Sequence, residues 1–476
     1  MKRIIVISLF LVAVATNVSA KVELPPIFAD NMVLQQNTDA ALWGKAQPGK
    51  KITITTTWSR AKVAVTAGED GKWFARVATP KAGGPYEITF NDGEKLTLKN
   101  ILIGEVWICS GQSNMEIQMR GYSGQPINGA PDLILTAKPS TPIRSCNLKK
   151  TWTLDPQDEC EAVWYEHTPK GVYEASATAY FFARKLYEVL QVPIGIINAS
   201  LGGSPIEGWM NPELLKKEFS SEVNLSHLET GVWPEKNPQY SAGTLYNGML
   251  RSITRYTAKG FIWYQGCSNR KKFELYKRLQ PAFVQMLRDE WENQDMGFYF
   301  TQIAPYRHND PQGRNAAYMM WAQAQTLELI PHSGMAVTHD VGELDCIHPA
   351  EKQTVGNRLA YLALSNDYGH DLIEANTPIY QSFEVKDGEA IVKFKVGKQG
   401  LSPINSDLEG FELAGQDGVF YPAKAQVRRD RSVLYVRCDE VPDPVAVRYG
   451  MRNWSQATVF NCFGIPVSPF RSDDWE

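Results

Sequence analysis

The chain has 476 residues, and its 49 Lys and Arg nearly balance its 52 Asp and Glu, leaving a formal net charge of −3. That length allows two or three domains of about 100–200 residues each. With no basic stripe or Lys/Arg block, neither nucleic acid nor an anionic membrane surface is an expected partner. The seven cysteines are irregularly spaced and the seven histidines scattered, with no Cys-x-x-Cys and no His-Glu-x-x-His. No metal site and no disulfide scaffold are expected, although a single Cys146–Cys160 bridge stays open.

In chain order, residues 1–20 read as a secretory signal peptide. Lys2 and Arg3 precede an apolar run from Ile4 to Ala15, and Val18-Ser19-Ala20 supplies the small residues of a cleavage site. Export to the periplasm or the exterior is therefore expected, with no membrane span once the signal is removed. Residues 21–100 alternate apolar and polar in short runs at 51–57, 61–65, 73–77 and 86–90, with turn chemistry at Gly68-Glu69-Asp70-Gly71 and Asp92-Gly93. That period predicts an N-terminal β-sandwich-like domain. From Ile101 the period changes. Strands are expected at 101–108, 194–199, 260–264, 298–303 and 335–338. Helices are expected between and after them at 174–190, near 245–253, at 273–291 (bent or interrupted at Pro281), 315–330 and 350–365. Such alternation predicts an α/β domain over 101–370, with a mainly parallel sheet covered on both faces. Residues 371–476 return to period two at 390–396, 411–414, 432–437 and 445–449, a C-terminal β-rich domain.

Ligands of α/β sheets bind where strands end at their carboxyl edge. After the first expected strand comes Gly111-Gln112-Ser113-Asn114-Met115, after the second Leu201-Gly202-Gly203-Ser204, after the third Gln265-Gly266-Cys267-Ser268-Asn269. Beyond the last comes Asp340 through Asp345 to His348-Pro349. A hydroxyl, glycine amides, a carboxamide and a carboxylate–imidazole pair are the components of an acyl-transfer site. A serine needs a base to take its proton, and imidazole does so near neutral pH. Gly203 can offer an unobstructed backbone N–H, Gln265 a side-chain amide and Ser113 its own N–H to an oxyanion. Each residue also has a plain structural reading. Ser113 fits a turn, His348-Pro349 the start of a helix, Gly202-Gly203 a tight turn, and Gln265 a partner for buried backbone groups.

The motifs also resemble a family. Gly104-Glu105-Val106-Trp107 running into Ser110-Gly111-Gln112-Ser113-Asn114-Met115-Glu116, then Asn198 through Glu207, are similar to the sialate O-acetylesterase family, within the wider SGNH hydrolases. So are Trp263-Tyr264-Gln265-Gly266 with Ser268-Asn269, and Ile347-His348-Pro349 with Lys352 and Val355-Gly356. The likeness extends from Leu24-Pro25-Pro26 near the start to Pro469-Phe470-Arg471 near the end. It implies a flavodoxin-like α/β/α catalytic domain flanked by β-rich regions, cofactor-free hydrolysis, and an O-acetylated carbohydrate as substrate. By that resemblance Ser113 is the nucleophile, His348 the base, and Gly203 and Gln265 oxyanion donors. Asp345 fits the Asp-x-x-His spacing as the third member, with Asp340 in reserve or a Ser–His dyad steadied by a backbone carbonyl.

One position departs from the family pattern: Cys267 stands where relatives carry Glu. A neutral packing exchange and an altered specificity or activity both remain open, as does a carbohydrate-binding protein on a decayed esterase scaffold. O-acetylated sialic acid is the leading substrate and acetylated xylan or pectin the alternative. Arg120 and Arg307 are the candidates to pair with a sialic acid carboxylate. Residues 121–142 and 233–240 are the loops expected to touch the sugar.

Overall fold

The computed structural model describes residues 21–310 and 312–475, so the expected signal peptide lies outside the described residues. Six short strands come first: β1 (Val33–Gln35), β2 (Asp39–Lys45), β3 (Lys51–Thr56), β4 (Ser59–Thr66), β5 (Lys72–Ala78) and β6 (Gly83–Asn91). They lead into β7 (Lys95–Gly111), a strand of 17 residues. Its first half pairs with β6, antiparallel, and its middle with β1, parallel. Its second half enters a different environment, pairing with β10 (Ile194–Ser200) on one side and β11 (Gly260–Tyr264) on the other. The expected boundary at residue 100 therefore falls inside one continuous strand. Its alternation breaks there because from Ile101 onward every residue of β7 is buried.

The strands of the α/β region run β13 (Ser333–Ala336), β12 (Gly297–Thr301), β11, β7, β10, β8 (Ile143–Leu148), β9 (Ala162–Tyr165) across the sheet. All are parallel except β9, which pairs antiparallel with β8. Taken without the β8–β9 extension, the order β10-β7-β11-β12-β13 is the flavodoxin order, with the switch point beside β7. The β8–β9 pair has no counterpart among the expected strands. Its polar residues conceal it, since Arg144 is buried there in an ion pair with Glu166 at 2.7 Å.

Two cores meet at β7. Val106 and Ile108 face one that also holds Phe28, Trp263 and Phe283, while Trp107 and Cys109 face another with Phe182, Tyr264 and Leu359. The N-terminal strands thus share a core with one face of the parallel sheet. The helix expected at 273–291 forms as Phe273–Glu290 with Pro281 inside it. The stretch near 245–253 is a π-helical turn, Tyr246–Leu250, running into Arg251–Ile253. The C-terminal region builds a separate seven-stranded antiparallel sheet with its own core of residues such as Phe411, Val436 and Tyr449. All seven cysteines are free, so the open Cys146–Cys160 bridge is not made. No helix of the described residues is long and apolar enough to cross a membrane.

The helices Ala177–Leu190 and Lys352–Asp367 pack directly against each other, with Gly356 in their contact. A Cβ there would stand 2.8 Å from both the Thr178 carbonyl oxygen and the Phe182 nitrogen, backbone atoms that cannot step aside. Alanine is otherwise the better helix former. Gly356→Ala should nevertheless destabilise the protein by about 1–3 kcal/mol, read as a lower urea midpoint. An unchanged or raised midpoint would contradict this packing.

Candidate active site

Three hydrogen bonds between strand ends aim Ser113. Gln112 N–H donates to the Tyr264 carbonyl at 2.9 Å and Leu201 N–H to the Gly111 carbonyl at 3.1 Å. Gly266 N–H donates to Gln112 Oε1 at 3.0 Å. The strands approach so closely that a Cβ on Gly111 would lie 2.2 Å from the Tyr264 carbonyl oxygen, and the φ of +140° also demands glycine. The chain then turns into the short helix Ser113–Glu116. The Thr178 hydroxyl donates to the Asn114 carbonyl at 2.9 Å and the Ser176 hydroxyl to the Met115 carbonyl at 2.6 Å, fixing that turn from the neighbouring helix.

His348 arrives on the loop after β13, and its Nε2 lies 2.7 Å from Ser113 Oγ. Two clamps hold this loop. Arg358 donates to both carboxylate oxygens of Asp340, at 2.6 and 2.7 Å, and to the Val337 and Gly464 carbonyls at 2.8 and 3.1 Å. Asn114 bridges the two halves of the site: its Nδ2 donates to the Ile347 carbonyl at 3.1 Å and its Oδ1 accepts from the Lys352 ammonium. Lys352 is only 1% exposed, and burial brings its pKa down to about 7. Burial also lowers the basicity of His348, the Lys352 ammonium lowers it further, and the Glu116 carboxylate opposes them.

The structure does not place the expected third member on the histidine. Asp345 is exposed and ion-paired to Arg307, while Asp340 is committed to Arg358. A local turn explains the outward direction of Asp345. Glu343 bridges to Cys346, Cys346 Sγ donates to the His348 carbonyl at 3.3 Å, and the Glu343 carboxylate accepts the Ala350 N–H at 2.7 Å. Among the described residues His348 Nδ1 has no hydrogen-bond partner.

Beside Ser113, Gly203 adopts φ +77°, and a Cβ there would lie 2.5 Å from the Tyr240 hydroxyl. Among the described residues the N–H groups of Gly203 and Ser113 meet no acceptor. Gln265 does not join them. It is fully buried, and its Nε2 donates to the Ser204 carbonyl at 3.2 Å and to Asn269 Oδ1 at 2.7 Å. Asn269 also accepts from Ile206 N–H at 3.0 Å and donates to Glu207 at 2.7 Å. Gln265 therefore braces the glycine loop instead of facing a substrate, which is its plain structural reading.

Cys267 is buried in the same loop, and burial raises its thiol to about 11, so it stays protonated and unreactive. Glu116, Asn114, Lys352 and Asn269 have roles that the spacing arguments missed. Glu116 accepts the Gly202 N–H, and it also meets the Tyr122 hydroxyl at 2.7 Å and the Lys150 ammonium. The signal for them was a polar residue one to four positions from a candidate site residue, inside an otherwise buried run.

A hydroxyl hydrogen-bonded to an imidazole at the switch point of a parallel sheet, with backbone N–H groups alongside, is an arrangement suited to acyl transfer on an α/β fold. The family model described as "Carbohydrate esterase, sialic acid-specific acetylesterase" matches residues 103–365. Sialate O-acetylesterases from Homo sapiens and Mus musculus are 28% and 25% identical to the chain, each aligning over 93% of it and over 90% and 93% of their own lengths. The crystal structure of a carbohydrate acetylesterase from Xanthomonas citri is 31% identical, covers 96% of this chain and 100% of its own, and superposes with a TM-score of 0.86. The chain belongs to the sialic acid-specific acetylesterase family of carbohydrate esterases, and it is a carboxylic ester hydrolase.

A base must be neutral to accept a proton, so if His348 is the base that frees Ser113, activity should fail as pH drops through the pKa of His348. The acid limb of kcat/KM is expected below the ordinary histidine value of about 6.5. Lys352→Met removes a repelling charge and should move that limb to higher pH. A wild-type limb above the ordinary value, or one the substitution leaves in place, would contradict this electrostatic picture.

Proposed function

We propose that this enzyme hydrolyses O-acetyl esters of sialic acid outside the cytoplasm, with Ser113 as nucleophile and His348 as general base. The observation that carries the chemistry is the 2.7 Å contact between Ser113 Oγ and His348 Nε2. Ser113 Oγ attacks the acetyl carbonyl carbon while its proton passes to Nε2. The N–H groups of Ser113 and Gly203 receive the oxyanion. The imidazolium then protonates the departing sugar oxygen, leaving an acetyl-serine. A water molecule, deprotonated by Nε2, attacks that ester; acetate leaves as the imidazolium returns the proton to Ser113 Oγ. No carboxylate takes part at Nδ1 in this reading, which is a Ser–His dyad.

The sialic acid substrate is supported by the relatives' names and by coverage of nearly their whole length. Export is supported by the basic, apolar and small-residue sequence of residues 1–20. A second reading, acetylated xylan or pectin, is favoured by one observation. Arg120 and Arg307 each already face a carboxylate, Glu174 and Asp345.

Acetate release from 9-O-acetylated sialic acid tests the reading. Ser113→Ala should reduce it by about 10⁴-fold or more with the fold retained. Undiminished turnover in that variant would end the assignment of Ser113. Release from acetyl-xylan alone would replace the substrate.

A further inference from the structure

A polar cavity of about 220 Å³ opens at the carboxyl ends of β10 and β8, lined by Glu116, Arg120, Asn147, Lys150, Asn198 and Ser200 among others. Glu116 joins it to the reaction centre. Its carboxylate takes the Gly202 N–H with one oxygen and the Lys150 ammonium and Tyr122 hydroxyl with the other. A Cβ placed on Gly202 would lie 3.1 Å from Glu116 Oε2 and 3.4 Å from Ser113 Cβ. Lys150 thus stands about one carboxylate's breadth from the loop that carries Gly203. The volume is below the roughly 300–1,000 Å³ of drug-sized ligand sites, so it suits one sugar ring and not a chain.

The donors at its mouth are only partly used. Arg120 reaches Glu174 through a single nitrogen, at 3.1 Å, although a guanidinium carries five N–H donors. Its plane is held over the Tyr173 ring, 5.2 Å from the centroid. Lys150 gives one contact to Glu116, and its side chain is 51% exposed. Deeper in the cavity, Asn198, Asn147 and Ser200 form a short ladder, with the Ser200 hydroxyl donating to Asn198 Oδ1 at 2.8 Å. Carboxamides and a hydroxyl can exchange such bonds with sugar hydroxyls.

The geometry points to this cavity as the subsite for the sugar ring of a carboxylate-bearing, O-acetylated sugar, with Arg120 and Lys150 taking the sugar carboxylate. The inference rests on the sialic acid reading above and gives that reading its specificity residues. It also explains how an enzyme whose two candidate arginines are already paired can prefer an acidic sugar: Arg120 has donors to spare, whereas Arg307 lines no part of this cavity.

The experiment compares kcat/KM on 9-O-acetylated sialic acid with kcat/KM on acetylated xylobiose, for wild type, Lys150→Met and Arg120→Met, each checked for folding by thermal melting. The wild type should favour the acidic sugar. Each substitution should lower the ratio of the two values by about tenfold, mostly through KM, as expected for losing one charge-assisted contact. If the wild type deacetylates the acidic sugar but neither variant changes the ratio, the cavity assignment alone falls. Equal losses on both sugars would mean that the two cations are structural, and would overturn it as well. If the wild type acts only on the neutral sugar, the sialic acid reading fails and takes this subsite with it.

Discussion

The direction of Ser113 is set by the end of one strand. β7 is hydrogen-bonded along its second half on both sides and buried on both faces, so its end cannot shift without disturbing two cores. That rigidity is what allows Gly111 to sit against the Tyr264 backbone and deliver Ser113 in a fixed direction. The same strand begins in the N-terminal sheet, which explains why a β-rich segment precedes the catalytic region. That segment contributes to the core that backs the strand leading to Ser113.

Around Ser113, charged groups hold loops in place. Asp340 with Arg358 fixes the approach of the histidine loop and ties it to Gly464 of the C-terminal region. Glu116 pins the glycine loop through Gly202, and Glu207 pins it from the other side through Asn269. Lys352 reaches the nucleophile turn through Asn114 and tunes the histidine by its charge. Arg358 is buried and Asp340 partly buried, so breaking this pair leaves a largely desolvated guanidinium without its counter-charge. The loops are therefore held in one arrangement.

Much of this was legible in the sequence. The alternation of strands and helices after Ile101 gave the parallel sheet, and the strand at Gly260–Tyr264 fell where its apolar run ended. That Ser113, His348 and Gly203 come together was legible because strand-end loops are where α/β sheets gather ligand-facing groups. What spacing could not tell was direction. Asp345 has the interval of a catalytic acid, yet the turn from Glu343 to Cys346 sends its side chain to Arg307. Gln265 lies in the right loop, yet its amide is used by Ser204 and Asn269. The β8–β9 pair was hidden because Arg144 interrupts an apolar pattern and is neutralised only in three dimensions. Side-chain partners drawn from distant segments are the part that a one-dimensional pattern does not encode.

In the proposed mechanism a serine–histidine pair, positioned by strand ends and charged clamps, works without a carboxylate on the histidine. Measuring kcat/KM for Asp345→Asn tests it most directly. An exposed ion pair with Arg307 contributes about 1 kcal/mol at most, so the rate should stay within several-fold of wild type. A loss approaching the ~10⁴-fold of a disabled triad aspartate would contradict it and return Asp345 to the catalytic machinery.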